Sequence, residues 1–118
     1  MAAVADPDTG YLIFVTDPES GAGSWTTVGG TSAAAPLWAG IQVLMEQAAA
    51  AQGVDALGFM APRYYRIAQS QPDAFHDVTR GGNLVDASVA GWDFATGVGS
   101  PNVEVLTQAV LADIAANP

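Results

Sequence analysis

The hydrophobic residues near the start of the chain are grouped in two short runs. Residues 11–15 read YLIFV and residues 25–28 read WTTV, and a loop rich in Asp, Pro, Ser and Gly separates them. Aromatic and β-branched residues bounded by turn formers are typical of β-strands. The pattern therefore predicts two strands that pair as a hairpin.

The spacing of the hydrophobic residues becomes helical after the second run. The pattern predicts a helix that begins at Ser32, has Pro36 in its first turn and ends near Gly53. Proline is tolerated at the start of a helix, and glycine favours its end. The predicted apolar positions recur every three or four residues. They are Leu37, Ile41, Leu44, Met45 and Ala48.

Two further helices are predicted, at residues 62–69 and at residues 101–115 with Asn102 as N-cap. Residues 70–101 between them are rich in glycine and show little periodicity. A long loop of this kind is usually functional, or is held by something other than core burial. The packing residues predicted for the first of these helices are Tyr64, Tyr65 and Ile67. Those predicted for the second are Val103, Leu106, Val110, Leu111 and Ile114.

Composition and charge narrow the class of protein. The chain has 118 residues, 50% of them hydrophobic, and a net charge of −9 from twelve acidic residues and three arginines. This length and composition predict one packed domain, and the negative charge makes nucleic acid an unsuitable partner. The longest apolar run is shorter than the roughly 20 residues that a membrane span needs, so no membrane partner is expected. The chain has no cysteine, which excludes disulfides.

The stretch GGTSAAAPLWAG, residues 29–40, places Ser32 behind two glycines at the start of the predicted helix. The residues alone leave two interpretations open. Serine is a common helix N-cap. Serine is also a nucleophile, and here the glycines would let a substrate backbone approach, while N–H groups at the helix start would stabilise an oxyanion.

This stretch resembles the nucleophile motif of the sedolisins, the serine-carboxyl peptidases, which have a subtilisin-like fold. Subtilisins share Gly-Thr-Ser and the later Pro but usually carry His after it, where this chain has Leu37. The segments ADPDTGYLIF, FHDVTRGGN and GWDFATGVGSPN also resemble the family. The resemblance implies an α/β unit that forms part of a subtilisin-like fold, with residues 1–118 as the C-terminal segment of the catalytic domain and Ser32 as its nucleophile.

The glycine-rich loop at about 73–101 resembles the calcium-binding region of the same family. Calcium takes six to eight oxygen ligands and accepts a mixture of carboxylates and backbone carbonyls. Without the resemblance, two Asp residues that cap turns would be an equally good interpretation. The Ca²⁺ ligands that the resemblance implies are the side chains of Asp77 and Asp93 and the backbone carbonyls of Val78, Val89 and Gly91.

A serine nucleophile needs a base within hydrogen-bond reach. The resemblance implies a Glu oriented by an Asp, with another Asp at the oxyanion, all upstream of this segment. His76 is the only histidine and adjoins an implied calcium ligand, so we expect a structural role for it. Glu46 lies about 21 Å along the predicted helix from Ser32. The chain alone is therefore expected to be inactive.

The resemblance implies a serine-type endopeptidase that hydrolyses peptide bonds at acidic pH through an acyl-enzyme on Ser32. Its expected partners are a peptide or protein substrate and the upstream half of the catalytic domain. Two alternatives stay open: a non-catalytic calcium-binding module, which would be a degenerate or truncated relative, and a fragment of a true subtilisin. The resemblance also implies an extracellular, secreted protein, although we find no targeting signal in the chain.

Overall fold

The computed structural model describes residues 1–117, in three helices and four strands. The contacts divide these residues into two compact units. One unit is Ala3–Ala39, and the other consists of Met1–Ala2 together with the residues from Gly40 onward. A single turn of 3₁₀ helix, Pro72–Ala74, precedes the third strand. The elements are β1 Tyr11–Thr16, β2 Gly23–Val28, α1 Thr31–Ala50, α2 Ala61–Ser70, β3 Phe75–His76, β4 Ser100–Pro101 and α3 Val103–Ala116.

The predicted hairpin is confirmed. Strands β1 and β2 pair antiparallel, from Tyr11 opposite Val28 to Thr16 opposite Gly23. The connecting turn is held by Asp17, whose Oδ1 accepts the N–H groups of Glu19 and Ser20. These hydrogen bonds, above all the one from Ser20, lower the pKa of the Asp17 carboxyl. The turn therefore favours the ionised carboxylate.

The apolar side chains of β1 are exposed on both faces of the hairpin. Successive residues of a strand point to opposite faces, so Leu12 and Phe14 share one face while Ile13 and Val15 share the other. All four are exposed, Leu12 at 65%. On the first face the Phe14 ring meets that of Trp25 edge to face, with ring centroids 5.3 Å apart. A strand that is apolar on both faces is typical of the interior of a covered sheet.

Helix α1 begins at Thr31, one residue before the predicted start, and this changes the role of Pro36. The expectation that Pro36 lies in the first turn is wrong, because it is the sixth residue of the helix. Its missing N–H leaves the carbonyl of Ser32 without the usual donor four residues later. The predicted end is confirmed, since the helix stops at Ala50 and the N–H of Gly53 donates to the Ala50 carbonyl at 3.0 Å.

The apolar pattern of α1 is only partly buried. Its buried residues are Ile41, Met45 and Ala49. Leu37 and Leu44 belong to the same predicted apolar pattern, but these side chains are 38% and 59% exposed. Within the residues described, no packed element covers that side of the helix enough to bury them.

In the unit from Gly40 onward, α2 and α3 contribute Tyr64, Ile67, Leu106 and Val110 to the core. One prediction fails here, and another is confirmed only in part, because Asn102 is the N-cap residue of α3 but does not cap it with its side chain. Tyr65 is 43% exposed instead of packed. The Asn102 side chain makes no capping hydrogen bond; instead, the backbone holds this residue, whose N–H donates to the Ala74 carbonyl at 3.0 Å and whose own carbonyl accepts the Leu106 N–H at 2.8 Å.

Two arginines of α2 share one carboxylate of α3. The Arg66 guanidinium donates to Asp113 at 2.8 Å, and Arg63 also donates to it. The hydrogen bond from Arg66 is the largest cause of a lowered pKa at Asp113. The Asp113 side chain is only 16% exposed, so the pair is partly shielded from solvent. This ion cluster therefore links the two helices.

We expect Asp113→Asn to lower the free energy of unfolding by about 1–2 kcal/mol at neutral pH, since two arginines lose their anionic partner. The folded-state pKa of Asp113 lies below the ordinary 3.8. The stabilisation is therefore present above that value and is lost as the pH falls through the folded-state pKa. Urea unfolding at neutral pH and at about pH 3 measures both effects. Glu104→Gln, an exposed acid of the same helix, is the matched control, and equal losses in the two variants would contradict the prediction.

Candidate functional site

Two glycines shape the chain immediately before α1. Gly30 has a φ of +101°, which a residue with a side chain adopts only with strain. Its carbonyl accepts the N–H groups of Ala33 and Ala34 at 2.9 and 3.1 Å, the first bonds of the helix. Gly29 lies against the backbone of Asp6 and Pro7, where an added Cβ would come within 2.5 Å of the Pro7 nitrogen. The glycines thus permit a sharp entry into the helix.

Ser32 is the second residue of α1, and its side chain is exposed. Among residues 1–117 its hydroxyl makes no side-chain hydrogen bond, and Gly30 occupies the position that accepts the first helical bonds. The N-cap interpretation of Ser32 is therefore wrong. Helical bonding begins at Ala33, so the N–H groups of Thr31 and Ser32 have no acceptor within the helix. Within the described part of the chain, the exposed Ser32 hydroxyl therefore lies in the same helical turn as N–H groups that have no helical acceptor.

The loop that lies against Gly29 is stabilised by hydrogen bonds to the carboxylate of Asp6. Asp6 accepts the Thr9 hydroxyl at 2.8 Å and the Asp8 N–H at 3.0 Å. These bonds, first the one from Thr9, lower the pKa of the Asp6 carboxyl. Both carboxylate oxygens are engaged within the turn, so Asp6 has a structural role in shaping this loop.

Glu46 also has a structural role. Its carboxylate accepts the N–H of Leu57 at 3.1 and 3.0 Å, and the amide of Gln42 donates to it at 3.4 Å. The Tyr64 hydroxyl donates to Gln42 in turn. Burial, with a smaller contribution from Glu46, raises the pKa of Tyr64 to about 12. This network ties α1, α2 and the segment at Leu57 together.

Four of the five residues named as calcium ligands are joined within the glycine-rich loop in two separate pairs. Oδ2 of Asp77 accepts the Gly91 N–H at 2.8 Å, and Oδ2 of Asp93 accepts the Val89 N–H at 3.1 Å. The fifth, Val78, follows Asp77 in the chain. His76 is exposed and pairs with Ser100 in the β3–β4 ladder. The loop is thus closed by bonds from side chains to the backbone.

Sequence reasoning missed Thr96, which is the main partner of Asp93. Its N–H and hydroxyl donate to Asp93 Oδ1 at 2.6 and 3.0 Å. The N–H bond is the largest cause of a lowered pKa at Asp93, although the side chain is only 5% exposed. An Asp followed three residues later by Thr is a known local hydrogen-bonding pattern, so the spacing offered a signal.

The oxygen atoms of this loop suit a hard cation such as Ca²⁺. A carboxylate has about four lone-pair positions; Asp93 receives three donors, and Asp77 receives one from the backbone. The buried hydroxyl of Ser88, beside Val89, has no hydrogen-bond partner among the described residues. The same loop therefore contains carboxylate oxygens that can accept further bonds, on Asp77 and Asp93, and the unpartnered hydroxyl of Ser88. Within residues 1–117, no group of three or more His, Cys, Asp or Glu side chains is placed to hold a metal ion.

Comparison with known proteins identifies the class. The chain matches a solved structure of Pseudomonas sedolisin, a serine-carboxyl proteinase complexed with two molecules of pseudo-iodotyrostatin. The TM-score is 0.72 at 31% identity, over 96% of this chain and 28% of that one. The fold is therefore the corresponding part of a subtilisin-like α/β fold. The helices of the described residues include none that is long and apolar enough to cross a membrane.

Curated relatives agree with the structural match. Kumamolisin from Bacillus sp. (strain MN-32) is 35% identical over 117 residues, which cover 94% of this chain and 19% of that protein. Tripeptidyl-peptidase sed1 from Aspergillus fumigatus is 40% identical over 86 residues, which cover 69% and 13%. Sedolisin from Pseudomonas sp. (strain 101) is 33% identical over 89 residues, which cover 72% and 14%. No protein-family model matches the chain.

The chain belongs to the sedolisin family. It spans less than a fifth of the length of these curated relatives, at most 19%.

Proposed function

We propose that this chain carries the nucleophile of a serine-type peptidase of the sedolisin type, which hydrolyses peptide bonds at acidic pH. The observation that carries the proposal is the exposed hydroxyl of Ser32 in the first turn of α1, beside N–H groups that have no helical acceptor. Family membership supports the same role for Ser32.

In the proposed reaction, the Ser32 Oγ attacks the carbonyl carbon of the scissile peptide bond while a base takes its proton. The N–H groups at the start of α1 are suited to stabilising the negative charge on the carbonyl oxygen. The C–N bond then breaks, and the amine leaves with the transferred proton. A water molecule hydrolyses the ester on Ser32, which releases the acid and restores the hydroxyl.

The acidic working range follows from the base that the family resemblance implies. A Glu with an ordinary pKa of about 4.3 can accept a proton at a pH where a His, with a pKa of about 6.5, is already protonated. The base is proposed to come from a part of the catalytic domain upstream of this segment. On this proposal, the chain alone does not hydrolyse peptides.

The remaining part of the catalytic domain is the proposed partner of the hairpin and α1. Leu12 and Trp25 of the hairpin are 65% and 66% exposed, and Leu44 of α1 is 59% exposed. Exposed apolar groups of this size are typical of surfaces that another part of a protein covers. The chain also spans only 28% of the sedolisin structure that it matches.

The glycine-rich loop is proposed to hold one structural Ca²⁺. The ligands would be the carboxylates of Asp77 and Asp93 and the carbonyls of Val78, Val89 and Gly91. The ion would supply positive charge to two carboxylates that have no ion pair with any Arg or His among the described residues. Such a cross-link would stabilise a segment with little regular secondary structure.

A chimera tests the proposal, with this chain replacing the matching segment of kumamolisin. We expect the chimera to hydrolyse a peptide substrate at acidic pH and the chain alone to show no hydrolysis above background. Hydrolysis by the chain alone, if lost in Ser32→Ala, would contradict the need for an external base.

The main alternative, a non-catalytic calcium-binding module, is favoured by the absence of a base bonded to the Ser32 hydroxyl within residues 1–117. Because the rest of the chimera supplies the base, a folded but inactive chimera would mean that the Ser32 segment itself cannot act as a nucleophile, and it would favour this alternative.

A further inference from the structure

The Asp6 loop, residues 5–10, is connected to the start of α1 by backbone hydrogen bonds. The Ala5 carbonyl accepts the N–H of Gly30. The Gly30 carbonyl in turn accepts the N–H of Ala33 at 2.9 Å. Because Ser32 lies in the chain between Gly30 and Ala33, the path of the Asp6 loop constrains where the Ser32 hydroxyl is placed.

Close backbone contacts accompany these bonds. A Cβ added at Gly29 would come within 2.6 Å of the Asp6 carbonyl oxygen, and one added at Gly10 would overlap the Val28 carbonyl. Such an approach of two backbones needs residues without a side chain. The Asp6 loop therefore lies directly against residues 28–30, which lead into α1, and a change in its path would shift the start of the helix.

The Asp6 carboxylate fixes the path of the loop. Its Oδ1 accepts the N–H of Asp8 at 3.0 Å, and its Oδ2 accepts the Thr9 hydroxyl at 2.8 Å. The side chain is exposed, and within residues 1–117 it forms no ion pair. Asp6 therefore shapes the loop without belonging to a packed core, so its removal should act locally.

We propose that Asp6 is a positioning residue for the Ser32 nucleophile. It acts through the backbone, because its carboxylate holds the loop, the loop holds Gly30, and Gly30 begins the helix that carries the hydroxyl. A displacement of about 1 Å at a reacting group can lower a rate by about 100-fold. The inference rests on the proposed function of Ser32 and adds a residue that neither touches the substrate nor transfers a proton.

Asp17 offers a matched control at the other end of the hairpin. Its Oδ1 accepts the N–H groups of Glu19 and Ser20, so it is also an exposed acid that stabilises a turn. The six residues of β1 separate it from the Asp6 loop, which corresponds to about 20 Å at roughly 3.3 Å per residue. Alanine at either position removes a similar turn, but only the Asp6 loop is bonded to Gly30.

The first measurement is amide hydrogen exchange of the full chain, followed by NMR. Asp6→Ala should speed exchange of the Gly30 and Ala33 N–H groups by about tenfold, whereas Asp17→Ala should change it by less than about twofold. Asp6→Asn keeps a side-chain acceptor for the turn and should stay close to the unchanged chain. Thr9→Val removes only the hydroxyl bond to Asp6. It should give a smaller increase at the same two N–H groups, and it replaces Asp6→Ala if that variant does not fold.

The second measurement is the kinetics of peptide hydrolysis by the kumamolisin chimera. Asp6→Ala should lower kcat by about tenfold or more while KM changes by less than about threefold, because a displaced nucleophile impairs the chemical step more than substrate binding. Asp17→Ala should retain kcat, and Asp6→Asn should retain most of it. A loss of stability alone would not separate kcat from KM in this way.

The outcomes distinguish this inference from the proposed function. Equal effects of Asp6→Ala and Asp17→Ala, on exchange or on kcat, would overturn the positioning role alone if Ser32→Ala inactivates the chimera. So would a folded Asp6→Ala chimera with an unchanged kcat. A chimera that is inactive from the start, or whose rate survives Ser32→Ala, would overturn the proposed function and the positioning role together.

Discussion

Replacing Ser32 by alanine in the kumamolisin chimera is expected to lower kcat for peptide hydrolysis by about 10⁴-fold or more. The substitution removes the only atom of the residue that can form the acyl-enzyme, and loss of a nucleophilic serine in a subtilisin costs about 10⁶-fold. The structure places this hydroxyl on the exposed side of the first turn of α1. Helix stability should change little, because alanine is a strong helix former.

The measurement is the initial rate of hydrolysis at acidic pH, with circular dichroism to show that both chimeras are folded. Ser24→Ala, which removes an exposed hydroxyl from β2, is the matched control and should retain the rate of the unchanged chimera. A Ser32→Ala chimera with more than about a tenth of the original rate would exclude Ser32 as the nucleophile.

Calcium is expected to raise the melting temperature of the chain by about 10 °C. At a concentration about 100-fold above its dissociation constant, a ligand that binds only the folded state adds about 2.7 kcal/mol. For a chain of this size that free energy corresponds to a shift of about 10 °C. The effect should appear as a difference in melting temperature between calcium and chelator at neutral pH.

Variants of the loop separate a specific site from a general effect of divalent cations. Asp93→Ala should lose the calcium-dependent shift, but it also removes bonds to Val89 and Thr96 and can weaken the apo protein. Asp77→Asn keeps an acceptor for the Gly91 N–H, so its apo stability should change less. Asp86→Asn should keep the full shift. A cooperative melt that does not depend on calcium in the unchanged chain would contradict the proposed metal site.

The helices and the hairpin could be predicted from local patterns because their signals are local. The runs at 11–15 and 25–28 identified both strands, and the helix starts were predicted within about two residues, which is the usual uncertainty of helix boundaries. The N-cap alternative for Ser32 failed because Gly30, with its positive φ, accepts the first helical bonds. Sequence spacing does not show which of several small residues takes that position.

Burial was harder to predict than helicity. Periodicity marks the apolar positions of α1, but it does not show which of them meet a packed partner. Ile41 and Met45 do so, and Leu37 and Leu44 do not. Tyr65 belongs to α2 as predicted, yet it lines a cavity. In each case tertiary packing decides the outcome, and local spacing carries no information about it.

The glycine-rich loop was recognised only through its resemblance to a family. Asp77 and Asp93 are separated in sequence, and no regular element between them imposes a periodicity. The structure closes the loop through hydrogen bonds from Gly91, Val89 and Thr96 to these carboxylates. Such bonds depend on the folded path of the chain, so composition alone left turn capping and metal binding equally open.

The central claim, that Ser32 forms the acyl-enzyme, is tested most directly by intact-mass spectrometry of the kumamolisin chimera. The chimera is mixed with an ester substrate, whose acylation outpaces deacylation, and is quenched within the first turnover. Peptide mapping then locates the added group. The account predicts one acyl group per chain, on Ser32, and none in Ser32→Ala. Turnover with the acyl group on another residue would contradict the account.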